Sequence, residues 1–139
     1  MDKFTATTII DKMMEQDWYS QWLQIKRIDE GPGFCILEME VRKEMLNGFG
    51  ILHGGVSFSF ADSAFAFASN SRGQKAVSIE TSISHFSQAN EGDILRTKVI
   101  EQHVSNKIGT YIIEVNNQEE KMIALFKGTV YRTSKVWEI

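Results

Sequence analysis

Cysteine, proline and histidine are scarce in this chain: one, one and three among 139 residues. A lone Cys35 forms no internal disulfide, so it is expected to be a buried free thiol in a reducing cytoplasm. Three histidines without a ligand-spaced His/Cys cluster predict no metal site and no metal cofactor. No apolar run approaches the roughly 20 residues of a membrane span, so no membrane partner is expected. The opening MDKFTATTII lacks a basic segment leading into an apolar one, so no secretory leader is expected. Excess positive charge is absent too. The net charge of −3 argues against a nucleic-acid partner. There is no G-x-S-x-G elbow, no P-loop ending and no dinucleotide-binding G-x-G-x-x-G after a strand. No carboxylate pair is spaced for glycosidase chemistry.

What is present suits one globular domain spanning 1–139. Hydrophobic residues make up 42% and charged residues 24%, and a chain of this length buries about two-thirds of its unfolded surface. Ile9, Ile10, Met13 and Met14 recur at helical spacing between Thr7 and Met14. Leu23, Ile25 and Ile28, the turn Gly31-Pro32-Gly33, and the run from Phe34 to Val41 predict a β-hairpin. Residues 42–54 read as a glycine-rich loop. Residues 55–69 hold no glycine beyond the first position and no proline, and predict the longest helix. The second half alternates with a period of two from Val77 to Ser84. Further β-rich runs follow at Ile94–Val104, Ile108–Val115 and Met122–Thr133. Glu91-Gly92-Asp93, Ser105-Asn106 and Asn116-Asn117 supply turns. Short connections imply antiparallel pairing. The predicted class is α+β: a curved antiparallel sheet wrapped around one long apolar helix.

An acid interrupts that helix. Ser59, Asp62, Ser63 and Ala66 share one stripe at i, i+3, i+4 and i+7. The stripe either faces solvent or, being made of small residues without lysine, arginine or glutamate, faces another surface or a ligand. Gly54 and Gly55 either make a tight loop-to-helix turn or offer first-turn amides to a carbonyl oxygen. Asn47 fits both a turn in NGFG and an amide donor to a polarised carbonyl. His53 fits both a loop hydrogen-bonding residue and a supporting base. Ser63 lies beside Asp62 as a second supporting candidate. Ser78, between Val77 and Ile79, is a candidate for holding a water. His85 and His103 receive no role.

Residues 47–71, NGFGILHGGVSFSFADSAFAFASNS, resemble the signature of hotdog-fold thioesterases of the phenylacetic-acid-degradation group. The family pattern is close to N-G-x-x-x-x-H-G-G-x-x-F-x-L-A-D-x-A-F-A-x-A-x-N-S, and this chain departs from it at Phe60. The resemblance continues through Gly92-Asp93 and residues 111–128, covering nearly all of the chain from about residue 20. Where the family often reads F-L-R-P-A, residues 85–89 here are His-Phe-Ser-Gln-Ala. Val77-Ser78 and Ser87-Gln88-Ala89 resemble the V-S and S-P-A of an acyl-CoA thioesterase subgroup, except at Gln88.

The resemblance implies a hotdog fold and a cytoplasmic hydrolase of acyl-CoA thioesters, with an aryl-acetyl or medium-chain acyl group and no cofactor. It implies that Asp62 is the catalytic carboxylate, as general base or as nucleophile. Gly54 donates its backbone amide and Asn47 its side-chain amide to the thioester carbonyl, and Ser78 helps hold the attacking water. The rival readings are a non-catalytic acyl-CoA-binding module and an enoyl-CoA hydratase. The hydratase ranks last, because such enzymes carry prolines around their catalytic histidine loop and the sole proline here is Pro32. Helix geometry adds an expectation about assembly. Gly54 and Asp62 are separated by roughly 12 Å of helix at about 1.5 Å per residue, whereas reacting atoms meet at about 3–3.5 Å. A homodimer with shared sites, pairing further into a dimer of dimers, resolves the mismatch.

Overall fold

The computed structural model describes residues 2–139. Two helices open the chain, α1 (Lys3–Gln16) and α2 (Trp18–Trp22). Asp2 caps α1 by accepting from the Thr5 amide at 2.9 Å, and α1 buries Ala6, Ile9 and Ile10. The hairpin follows as β1 (Lys26–Gly31) and β2 (Phe34–Glu40). Gly33 takes the left-handed backbone its tight turn requires, at φ 81°. A short 3-10 turn (Lys43–Met45) interrupts the following loop before α3 (Gly54–Asn70). The remaining strands are β3 (Gln74–His85), β4 (Ile94–Val104), β5 (Ile108–Asn116) and β6 (Met122–Val136).

All strand pairs are antiparallel, in the order β1-β2-β4-β5-β6-β3. The sheet curves around α3, which packs against β2, β3, β4, β5 and β6. Phe60, Phe65 and Phe67 of α3 are fully buried with Leu37, Leu95, Ile113 and Phe126 of the sheet. Phe60 therefore supplies core volume where the family pattern has leucine. Gly128 on β6 makes room for Phe65, since a Cβ there would lie 2.6 Å from its ring. Cys35 is the expected buried free thiol, its Sγ 3.4 Å from the Ala64 carbonyl. Burial pushes that thiol far above its ordinary pKa, leaving it inert.

Two expectations are corrected. Leu23 belongs to the end of α2 rather than to the hairpin, which starts at Lys26. Asp17 starts α2 by accepting from the Ser20 amide, so a cap and tertiary packing prevail over the strand preference of an aromatic-rich stretch. Antiparallel pairing of consecutive strands fails at β3 and β4. Residues 86–93 are tied to the 42–54 loop by Leu52 N–H to the Ala89 carbonyl at 2.8 Å. They are tied to Val41 by Val41 N–H to the Asp93 carbonyl at 2.8 Å. These bonds carry β4 across to β2 and leave β3 at the sheet edge, bonded only to β6.

Candidate active site

The loop before α3 folds on Asn47. Its Oδ1 accepts from the amides of Phe49, at 2.9 Å, and Ile51, at 3.4 Å. This is the turn reading of Asn47; it engages the oxygen and leaves the Nδ2 amide without a partner among the described residues. His53 caps α3, its Nδ1 accepting from the Gly55 amide at 2.8 Å. That bond occupies the Nδ1 lone pair and fits the hydrogen-bonding reading of His53. The Gly54 N–H has no acceptor among the described residues, as expected of a first-turn amide.

Asn47 and Gly54 line one cavity of about 390 Å³, together with Leu52, Ser57, His85 and Phe86. His85, which received no role from the sequence, also lines this cavity. Its ring lies over Gly54, where a Cβ would come within 3.1 Å of His85 Cε1. Ser57 Oγ donates to the Gly54 carbonyl at 3.0 Å and lies 3.0 Å from His85 Nε2. A hydroxyl has one proton, so with that proton on the Gly54 carbonyl, His85 Nε2 carries the hydrogen donated to Ser57. No local pattern joins two residues 28 positions apart, which is why His85 is assigned no role by sequence alone.

Asp62 opens elsewhere. It lines a second cavity, of about 240 Å³, with Asp17, Tyr19, Ser20, Phe58, Ser59, Ser63 and Ala66. The small polar stripe is thus roofed in part by α2 rather than bathed in solvent. Tyr19 Oη meets Ser59 Oγ at 3.0 Å, and buried Ser63 pairs its hydroxyl with Ser20 at 2.8 Å. Burial, and then the negative charge of Asp17, raise the Asp62 carboxyl above the usual aspartate pKa. Ser78 is exposed on edge strand β3 opposite Val130 and lines neither cavity. Within one chain, Asn47 and Gly54 therefore come together, while Asp62 and Ser78 stand apart from them and from each other.

The arrangement supplies donors for an oxyanion in one cavity and a weakly acidic carboxyl in another, the two elements of acyl-transfer chemistry. Among the described residues, no helix is long and apolar enough to cross a membrane.

Comparison with known proteins identifies the family. Residues 49–124 match the family model of the thioesterase superfamily. A protein of Archaeoglobus fulgidus is 43% identical over 125 residues, covering 90% of this chain and 81% of that one. The acyl-coenzyme A thioesterase PaaI of Escherichia coli is 39% identical over 120 residues, 86% of each chain. The solved structure of the E. coli PaaI protein from the phenylacetic acid degradation operon superposes with a TM-score of 0.94. There the identity is 36%, over 96% of this chain and 97% of that one. By sequence and fold, this chain belongs to the thioesterase superfamily, as a thioester hydrolase of hotdog fold.

Proposed function

We propose that the chain hydrolyses acyl-CoA thioesters, releasing a free acid and CoA, from sites completed by a second copy of itself. The observation that carries this reading is the free Gly54 N–H beside the free amide of Asn47 in one cavity, with Asp62 in another. The thioester oxygen accepts from Gly54 N–H and Asn47 Nδ2. Asp62 of the partner subunit takes a proton from water as that water attacks the carbonyl carbon. The tetrahedral adduct then collapses, and the C–S bond electrons leave with the CoA thiolate.

Edge strand β3 supports the shared site. It is hydrogen-bonded on one side only, and Val77 and Ile79 on it are 53% and 57% exposed. Such an edge is a template for pairing with another chain. Antiparallel pairing of two β3 strands about a twofold axis brings two α3 helices side by side, Gly54 of one toward Asp62 of the other. Ser78 lies on the same edge, and its water-holding role is proposed with the shared site. CoA as the carrier rests on likeness to the E. coli acyl-coenzyme A thioesterase. An aryl-acetyl group, with medium-chain acyl groups as the second choice, rests on the operon of that relative and on the Phe58 and Tyr19 rings beside Asp62. A cytoplasmic setting fits the single unoxidised, buried Cys35.

Two measurements test this reading. Thiol release from a panel of acyl-CoAs should favour arylacetyl substrates. Binding without release would instead identify an acyl-CoA-binding module. Subunit mixing tests the shared site: Asp62→Ala and Asn47→Ala chains should each be inactive alone. Co-refolded in equal amounts, they should regain about a quarter of parental activity. Half of random dimers are mixed, and each mixed dimer holds one intact site. No recovery, with mixed dimers confirmed by mass, would exclude the shared site.

A further inference from the structure

The segment roofing Asp62 lies outside residues 49–124, which carry the family match. Asp17 holds it in place. Its Oδ1 accepts from the Ser20 amide at 2.9 Å and its Oδ2 from Ser20 Oγ at 2.7 Å. Having given its proton to Asp17, Ser20 Oγ accepts from Ser63 Oγ at 2.8 Å, inside the protein. The result is a directed chain, Ser63 to Ser20 to Asp17, running from the residue next to Asp62 to a second carboxylate in the same cavity.

We propose that Asp17 is a positioning residue for the hydrolysis, acting through Asp62 as a second, fixed negative charge in the cavity where water is deprotonated. This rests on the reading of Asp62 as the base. The only other titratable side chain lining that cavity is Tyr19, whose hydroxyl is engaged with Ser59. No lysine, arginine or histidine of the described residues lines it, so no cation of α2 or α3 offsets the two carboxylates. Like charges in a part-buried site disfavour joint ionisation. Asp62 therefore holds its proton more tightly and, once ionised, takes one from water more readily. The direction of its pKa agrees, with burial first and Asp17 second. The serine chain holds the charge in place, because the Asp17 carboxylate cannot swing away without breaking both of its hydrogen bonds from Ser20, which is itself tied to Ser63.

Asp17 also caps α2, so the test must separate cap from charge. Asparagine caps a helix as well as aspartate does. In full-length Asp17→Asn the unfolding temperature should stay near that of the parent. The acid limb of kcat/KM should move to lower pH, and the plateau should fall by less than about tenfold, as for a weakened but intact base. Asp17→Ala should show the same displaced limb with lower stability, and Asp17→Glu, which keeps the charge, a limb closer to the parent. A ¹³C NMR titration of the Asp62 carboxyl, which needs no turnover, should shift in the same direction in Asp17→Asn. An unmoved limb and an unmoved Asp62 titration in folded Asp17→Asn, with Asp62→Asn inactive, would reduce Asp17 to a helix cap and overturn this proposal alone. Parental turnover by Asp62→Asn would instead remove the general-base reading, and this proposal with it.

Discussion

Gly54 and Asp62 share one face-to-core helix, eight residues apart, yet they open into two different cavities of the same chain. The separation follows from the helix itself. Its first turn meets His85 and the 42–54 loop, and its middle meets α2. Under the proposed shared site, a carbonyl held in one cavity would be attacked from the other cavity of a second copy. Each of the following outcomes bears on one part of that arrangement.

Asp62→Asn should lose at least about 10²-fold in turnover, the usual contribution of a general base. The parent kcat/KM should fall with decreasing pH through a limb above the ordinary aspartate pKa, since burial and Asp17 both raise Asp62. The sign for stability is opposite to that of a salt-bridged acid. With its folded pKa raised, Asp62 binds its proton more tightly in the fold, so ionising it costs stability as pH rises above the unfolded value of about 3.9. The inactive variant should therefore melt no lower than the parent at pH 7, with any gain vanishing below about pH 4. Calorimetry at both pH values checks this.

Asn47→Asp should separate the two roles of Asn47. The substituted carboxylate still accepts from Phe49 and Ile51, so the loop should keep its shape. It loses the Nδ2 donor and adds a negative charge where the proposed mechanism puts the oxyanion. Losing one oxyanion donor costs about 10²–10³ in kcat, so turnover should drop by at least that much with little change in melting temperature. Loss of fold rather than of rate would show that the turn role dominates.

Glu101 should report on acid stability. It accepts from Arg72 Nε at 2.8 Å, Arg72 Nη2 at 2.6 Å and Tyr111 Oη at 2.9 Å, joining the end of α3 to β4 and β5. Burial opposes its ionisation, but the bonds from Arg72 and Tyr111 prevail and hold its pKa below the ordinary value of 4.5. Its contribution is present above that value and disappears as pH falls through the lower, folded one. Glu101→Gln should cost about 1 kcal/mol at pH 7, solvent exposure of Arg72 screening the pair. The gap between parent and variant should narrow as acid unfolding is followed below pH 4.5.

The sequence by itself determined the elements whose causes are local. The helix read over 55–69 exists as Gly54–Asn70, because an uninterrupted alanine- and phenylalanine-rich stretch has one regular way to bury its rings. The Gly31-Pro32-Gly33 turn closes the hairpin, and the amide of Gly54 is free because a helix leaves its first amides unpaired. The family resemblance was legible because its most specific part is one contiguous run, residues 47–71. Tertiary structure alone decided what depends on the path of the chain. It put β3 beside β6 rather than β4, because residues 86–93 bond to Val41 and Leu52 and are drawn across the sheet end. It turned Trp18–Trp22 into a helix that roofs Asp62, and it laid His85 on Gly54 and Asp17 in the cavity of Asp62. Those neighbours lie tens of residues apart in sequence. Periodicity and capping act over a few residues and leave no local trace of which distant side chain completes a site.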